Sequence, residues 1–436
     1  FDDSHLQVMF DQCKALIIGL QKRGAVVGSS LNTAYLLERL SQTLERLETL
    51  MAIFVSNRYL PRRILLLTGC FARAAAERHS ISRLWKQSSG LMARSVTQNA
   101  GDHGEHYITR DKKEYWAMFY SAAGGGVLIA LMALFKTYLG SIIDDKVWKG
   151  IAEGLNYGLG FMVIFMLHFT VATKQPAMTA ARFAEAVEKT PQGKTVNMKL
   201  AQLLVDVFRS QSIAVLGNVL IAMGLAALIA FGYQYKTGEP LMNADQIAYQ
   251  LHSIDPFAGT LWFAAIAGVW LFCSGIISGY FDNRSNYLNM RMRLTQHPLL
   301  KKLMSEKSRV KFANYMHENY GSLIGNLCFG MLLGITGVVG YLTHLPLDIR
   351  HVAFSSANVG YIAVSGQFTY SLLLQCIAFV LLIGLVNLIV SFSLTLWVAL
   401  RSLNAEIDSW WPIWHEVCQI VKKRPLSLFL PVQLDK

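Results

Sequence analysis

Residues 370–400 read YSLLLQCIAFVLLIGLVNLIVSFSLTLWVAL, 31 positions without one charged side chain. A hydrocarbon core of about 30 Å is crossed by about 20 apolar residues in a helix. The stretch therefore predicts a membrane span that tilts or projects beyond the core. Five more stretches of this kind lie upstream, at 117–140, 151–172, 211–233, 259–281 and 322–343. Their charged residues are Lys136 and Glu153, near segment ends where they reach the interface. The reading is an all-α polytopic membrane protein with six transmembrane helices.

Composition agrees with it. Of 436 residues, 53% are hydrophobic and 16% charged, and the mean hydropathy is +0.35. Soluble proteins carry about 25% charged residues, so the deficit argues against a purely soluble enzyme and against disorder and points to a membrane protein with soluble parts. The net charge of +12 fits either nucleic-acid binding or the cytoplasmic bias of a membrane protein, and position decides between them. Of 40 Lys and Arg, 35 fall in 1–116, 173–210, 282–321 and 401–436. Four fall in 141–150, 234–258 and 344–369, and Lys136 lies within a span. The alternation predicts a bacterial inner-membrane protein with both termini cytoplasmic. Topology accounts for the excess charge, so nucleic acid is not an expected partner.

Three regions follow: a cytoplasmic helical bundle at 1–110, the six-span domain at 111–400 and a cytoplasmic tail at 401–436. Within the first, Leu37, Leu40, Leu44, Leu47, Met51 and Phe54 step by three and four, a heptad seam. Ser29 is the expected N-cap ahead of it. Ile64–Ala76 and Ile81–Val96 read as two further helices, the second capped by Ser80. Simple core packing and a dimerising coiled coil both fit the seam. The chain begins at Phe1 rather than Met, as a processed or truncated product would.

The glycines of Gly101-Asp102-His103-Gly104-Glu105-His106 mark a loop. Two His with acids nearby invite a metal reading, but no HExxH or CxxC completes it. The six Cys form no CxxC either. Neither metal nor cofactor is expected, and Glu105 and His106 stay as candidate functional residues of a connecting loop. Thr109 is read as the start of the helix entering the first span.

Gly125-Gly126-Val127-Leu128-Ile129-Ala130, Gly217-Asn218-Val219-Leu220-Ile221-Ala222 and Gly325-Asn326-Leu327-Cys328-Phe329-Gly330 open alternate spans, each after a polar helical stretch. They suggest three parallel repeats of a two-span hairpin. Gly154/Gly158, Gly275/Gly279 and Gly330/Gly334 are GxxxG pairs, which let helix backbones approach closely. Such faces serve packing within one chain or a homo-oligomer. Asn156, His168, Asn218, Asn326, Gln375 and Asn387 lie inside spans, as interhelical hydrogen-bond partners or functional groups. No acid lies deep in a span, which argues against a proton- or cation-coupled transporter. His168 is kept as a titrating candidate.

The segment 344–369 is too short and too interrupted for a span. Asp348, Arg350 and His351 cluster at its start, and Val352 to Ser365 is apolar and small. A re-entrant or surface-lying stretch of non-helical backbone is expected, with Asn358 among its polar partners and Asp348–Arg350 as its anchor.

Several strings together resemble a bacterial membrane family catalogued as "site-specific recombinase". They are Gly104–Arg110 (GEHYITR), Ser121–Gly126 (SAAGGG), Ala172–Ala180 (ATKQPAMTA), Ser278–Arg284 (SGYFDNR) and Pro346–Asn358 (PLDIRHVAFSSAN). The likeness covers about residues 30 to 400 and places Asp282, Asn283 and Arg284 among the candidate functional residues. It implies DNA strand exchange. The residues themselves show no His-x-x-Arg, the cation pattern that would hold a scissile phosphate beside a tyrosine nucleophile. Read from the residues, the chain is a non-enzymatic protein whose partners are the bilayer and, through the N-terminal helices, another protein. The alternatives are a transport-related protein and the recombinase that the resemblance implies.

Overall fold

The computed structural model describes residues 3–27, 31–54, 60–77, 108–109, 111–171, 179–180, 183–184, 186–187, 194–365, 368–402, 407 and 409–431. Fourteen α-helices and no strand occur among them. The chain divides into two compact units: Phe1–Asn99 with Tyr280–Glu318, and Ala100–Gly279 with Asn319–Lys436.

The first unit holds α1 (Asp3–Val27), α2 (Leu31–Phe54), α3 (Leu60–Glu77), α9 (Met290–Gln296) and α10 (Pro298–Leu303). Lys14 Nζ meets Glu48 Oε2 at 2.5 Å, tying α1 to α2 and holding the lysine pKa up. On the heptad seam Leu37, Leu44 and Met51 are half-buried, whereas Leu40 and Leu47 are exposed. The expected caps Ser29 and Ser80 and the expected helix Ile81–Val96 lie outside the described residues.

The second unit is built from α4 (Lys112–Ile142), α5 (Lys146–Met166), α6 (Lys194–Thr237), α7 (Ala244–Ile254), α8 (Thr260–Tyr287), α11 (Glu306–Thr343), α12 (Val352–Ala363), α13 (Tyr370–Ser402) and α14 (Trp411–Lys423). Helices α8 and α11 each carry one end into the first unit. Five helices, α4, α6, α8, α11 and α13, are long and apolar enough to cross a membrane. Helix α5 is not among them. After Glu153 its apolar run is Gly154–Met166, about 20 Å at 1.5 Å per residue, short of a bilayer core.

Contacts fix the helix directions. Thr109 bonds to Ser210, and Asn218 to the Ala122 carbonyl, so α4 and α6 run parallel. Asn156 bonds to the Met132 carbonyl and Lys136 pairs with Glu153 at 3.4 Å, so α5 runs back along α4. Gly154 and Gly158 of α5 lie against Gly334 and Gly330 of α11, making that pair antiparallel. Trp270 bonds to Thr336, and Ser278 sits against Gly325, so α8 opposes α11. Asn387 bonds to the Ala264 carbonyl and Val390 packs on Gly268, so α13 follows α8. Direction therefore alternates through α4, α5, α6, α8, α11 and α13. The end where α4, α6 and α11 finish is called the far end, the opposite one the near end. Tyr157, Phe161, Phe329, Leu333, Tyr361 and Ile362 fill the middle of the core. Leu131, Phe135, Leu159, Leu220, Leu228 and Ile389 are exposed on the unit's surface.

Three expectations are corrected. Helix α4 starts at Lys112, not Thr109. Asp111 is the cap, its carboxylate accepting the Glu114 N–H at 2.7 Å, as N-cap aspartates do. Thr109 is instead buried against Ser210 and Arg209. The stretch expected as a span to residue 172 stops being helical at Met166, because His168 turns left-handed at φ 57°. The segment after Arg350 is not irregular backbone: Val352–Ala363 is a helix with most of its length buried. A short helix pairs its backbone internally except at its ends, which leaves fewer buried groups to satisfy than irregular chain would.

Candidate functional site

The polar groups of the second unit's far end gather where the strap 344–351 feeds α12 into the bundle. Gly340 leaves room for the strap: a Cβ there would stand 2.2 Å from the Leu347 carbonyl oxygen. Arg350 organises the strap. Its Nη1 pairs with Asp348 Oδ2 at 2.6 Å, and its Nε donates to the Ser253 carbonyl at 2.8 Å. Its backbone N–H reaches the Phe263 carbonyl at 3.2 Å, and its guanidinium lies over the Phe263 ring. One side chain thus joins the strap to the end of α7 and the start of α8.

Asn387, fully buried on α13, completes the entry. Its Nδ2 donates to the Ala264 carbonyl at 2.7 Å and the Arg350 carbonyl at 3.0 Å. Its Oδ1 accepts the Val352 N–H at 3.2 Å. That N–H is among the unpaired donors of the first turn of α12. A residue from a distant helix thus does the work of an N-cap, since His351 makes no side-chain cap bond. The His351 ring, 1% exposed, sits among Phe161, Phe329 and Phe354. Further in, Tyr361 donates to the Ala130 carbonyl at 2.7 Å. Gly360 lies so close to α6 that a Cβ would stand 2.2 Å from the Met223 carbonyl oxygen.

Of the residues singled out above, Asp348, Arg350 and His351 share the strap, and Asn358 is half-buried on α12. His168 is exposed at the end of α5, and its carbonyl accepts from Ser121 Oγ at 3.0 Å. Asp282, Asn283 and Arg284 belong to the first unit, where Arg284 approaches the Tyr280 hydroxyl at 3.4 Å. Glu105 and His106 lie outside the described residues. Lys136 and Glu153 were not among the candidates, yet they pair beside the Tyr157 ring. The signal for them is in the chain. They stand at equal distances on either side of Asp144-Asp145, so a tight hairpin there brings them face to face. Among the described residues no three of His, Cys, Asp and Glu come together as metal ligands.

The site can hold helices in place. Arg350 and Asn387 donate to backbone carbonyls, and Asp348 neutralises the guanidinium. Coupling between Asp348 and Arg350 is testable. Each alanine variant should lower the melting temperature in detergent, Arg350→Ala more, because it also strips the Ser253 carbonyl. The double variant should lose less than the sum of the two; strict additivity would show that the pair does not act as one unit.

No curated protein and no solved structure matches the chain. One family model, described as site-specific recombinase, matches residues 1–431, nearly its whole length. By that match the chain belongs to the site-specific recombinase family.

Proposed function

We propose that this chain is a six-span scaffold of the bacterial inner membrane, with both termini cytoplasmic, that presents its N-terminal helices to a protein partner. The observation that carries the reading is where the polar groups go. Inside the second unit Asn156, Asn218, Arg350, Tyr361 and Asn387 all bond to backbone carbonyls of other segments, while large apolar side chains face outward. That inside-out order suits a bundle solvated by lipid.

Helix α5 serves as the sixth crossing in this reading. The non-helical residues after Met166 extend it, and Thr170 bonds through both its backbone groups to neighbouring helices, as hydrocarbon demands. Thr170 N donates to the Ser121 carbonyl at 3.1 Å, and the Thr170 carbonyl accepts from Asn218 Nδ2 at 2.9 Å. Alternating helix directions then give three hairpins, α4–α5, α6–α8 and α11–α13, as parallel repeats. Along the sequence the basic segments 1–116, 173–210, 282–321 and 401–436 alternate with the basic-poor ones between the proposed crossings, which supports a cytoplasmic near end.

Exposed Tyr35, Leu36, Leu40 and Leu47 on α2 support the partner-binding role. A photo-crosslinking residue at Leu40 or Leu47 should capture one protein of defined mass in cells. Leu36→Glu with Leu40→Glu should abolish the capture while membrane insertion persists. Second-copy adducts alone would mean self-association instead. The family description supports a second reading, DNA strand exchange. Specific cleavage of supercoiled DNA by the purified protein, with a covalent or metal-dependent intermediate, would replace the scaffold reading with that one. The scaffold reading predicts weak, non-specific DNA binding that moderate salt abolishes.

A further inference from the structure

We infer that the near end of the second unit carries a built surface for anionic phospholipid headgroups, formed by the first turns of α4 and the C-terminal hook 422–430. The inference rests on the reading of α4 and α6 as spans.

The hook is held, not loose. The Tyr115 hydroxyl donates to the Phe429 carbonyl at 2.8 Å, and the Phe429 ring meets Phe208 of α6 edge to face at 6.2 Å. The short turn Pro425–Leu428 keeps its own bonds, Ser427 N to the Arg424 carbonyl and Leu430 N to the Leu426 carbonyl. Ser427 faces inward and is 4% exposed, whereas Leu426, Phe429 and Leu430 are exposed at 62%, 49% and 47%. Next to Tyr115, Trp116 and Tyr120 project from α4, also exposed, and their rings follow one another along the helix. Five large apolar or aromatic side chains therefore stand out around one hydrogen bond, at the level where α4 begins its apolar run. Aromatic residues with a polar tip favour that depth of a bilayer.

Charge surrounds this patch. Lys112 and Lys113 precede Tyr115 by three and two residues, and Lys422 and Lys423 precede Phe429 by seven and six. All four are exposed, as is Arg424. The acids nearby in sequence are Asp111, whose carboxylate caps α4, and Glu114. Basic groups outnumber them, so the balance favours an anionic partner. Apolar side chains entering the acyl boundary with lysines at headgroup height form the arrangement that retains anionic lipid. A water-soluble polyanion would match the lysines but leave Leu426, Phe429 and Leu430 unburied.

The test uses the full chain in nanodiscs of mixed phosphatidylglycerol and phosphatidylcholine. Nitroxides are placed singly at Leu426, Leu430 and, as the span reference, Leu220, in a background with the native cysteines replaced. All three should relax with dissolved oxygen rather than with a water-soluble nickel reagent. Native mass spectrometry should find phosphatidylglycerol retained in preference to phosphatidylcholine. Lys112→Gln with Lys113→Gln, and separately Lys422→Gln with Lys423→Gln, should each weaken the preference, by about fivefold per lysine. A lipid-exposed Leu220 with water-exposed 426 and 430, or undiminished preference in both double variants, would overturn the inference alone. Water exposure at Leu220 would overturn the span reading beneath it.

Discussion

Gly330→Leu is expected to remove the folded protein. A Cβ at Gly330 would stand 2.0 Å from Gly158 N and 2.3 Å from Gly158 Cα. Those are backbone atoms, and no side chain can swing aside to admit the new group. Helices α5 and α11 would have to separate along the line where Gly334 also lies against Gly154. Even Gly330→Ala should cost the upper end of the about 1–3 kcal/mol that overpacking brings, or more. Gly224 supplies the control, since nothing lies within 4 Å of a Cβ there. Gly224→Ala should leave the melting temperature unchanged or raise it, by the helix-propensity gain of at most about 1 kcal/mol. Thermal unfolding of the three variants in one detergent reads the difference. Equal melting of Gly330→Ala and Gly224→Ala would show that α5 and α11 do not meet there.

Asn387→Ala should be the next most damaging change. It strips a donor from the Ala264 and Arg350 carbonyls and an acceptor from Val352 N. Three buried groups lose a partner together, each at about 1 kcal/mol or more. A loss of about 2–4 kcal/mol follows on that count. Asn387→Asp should be at least as severe despite its near-identical shape. The carboxylate keeps the acceptor for Val352 but turns anionic oxygen toward two carbonyl oxygens in a buried site. Unfolding midpoints compare the two, and protease cleavage near residues 344–351 should rise in both as the strap detaches. An aspartate variant as stable as the parent would mean that the Nδ2 bonds hold nothing.

The long apolar helices were legible because length and hydropathy are local properties. The runs at 117–140, 211–233, 322–343 and 370–400 each fall within one described helix, and 259–281 does so from Thr260 onward, Gly259 being left-handed at φ 81°. Helix ends were less legible. Thr109 and Asp111 are both capping types, and the choice between them turned on Ser210 and Arg209, a hundred residues away, occupying the threonine. Val352–Ala363 departs from the expected irregular backbone because its apolar composition says only that it must be buried. Its first N–H is served by Asn387 from a distant helix, a contact no local pattern announces. The Asp348–Arg350 pair was readable from spacing, whereas Asn387 appeared only as one intramembrane amide among several. Its neighbours are set by how α7, α8 and α13 converge. The metal-like grouping at 101–106 lies outside the described residues.

The six-crossing topology stands or falls with α5, the helix whose apolar run is shortest. Asp144, Thr237, Leu345, Lys199, Ser305 and Ser409 are exposed, five on the segments that join the six proposed crossings and one on the tail, and each is replaced singly by cysteine. An impermeant maleimide applied to intact cells should label Asp144→Cys, Thr237→Cys and Leu345→Cys. It should reach Lys199→Cys, Ser305→Cys and Ser409→Cys only after the membrane is opened. Labelling of Asp144→Cys and Lys199→Cys from the same side would show that α5 does not cross, and would contradict the account at its centre.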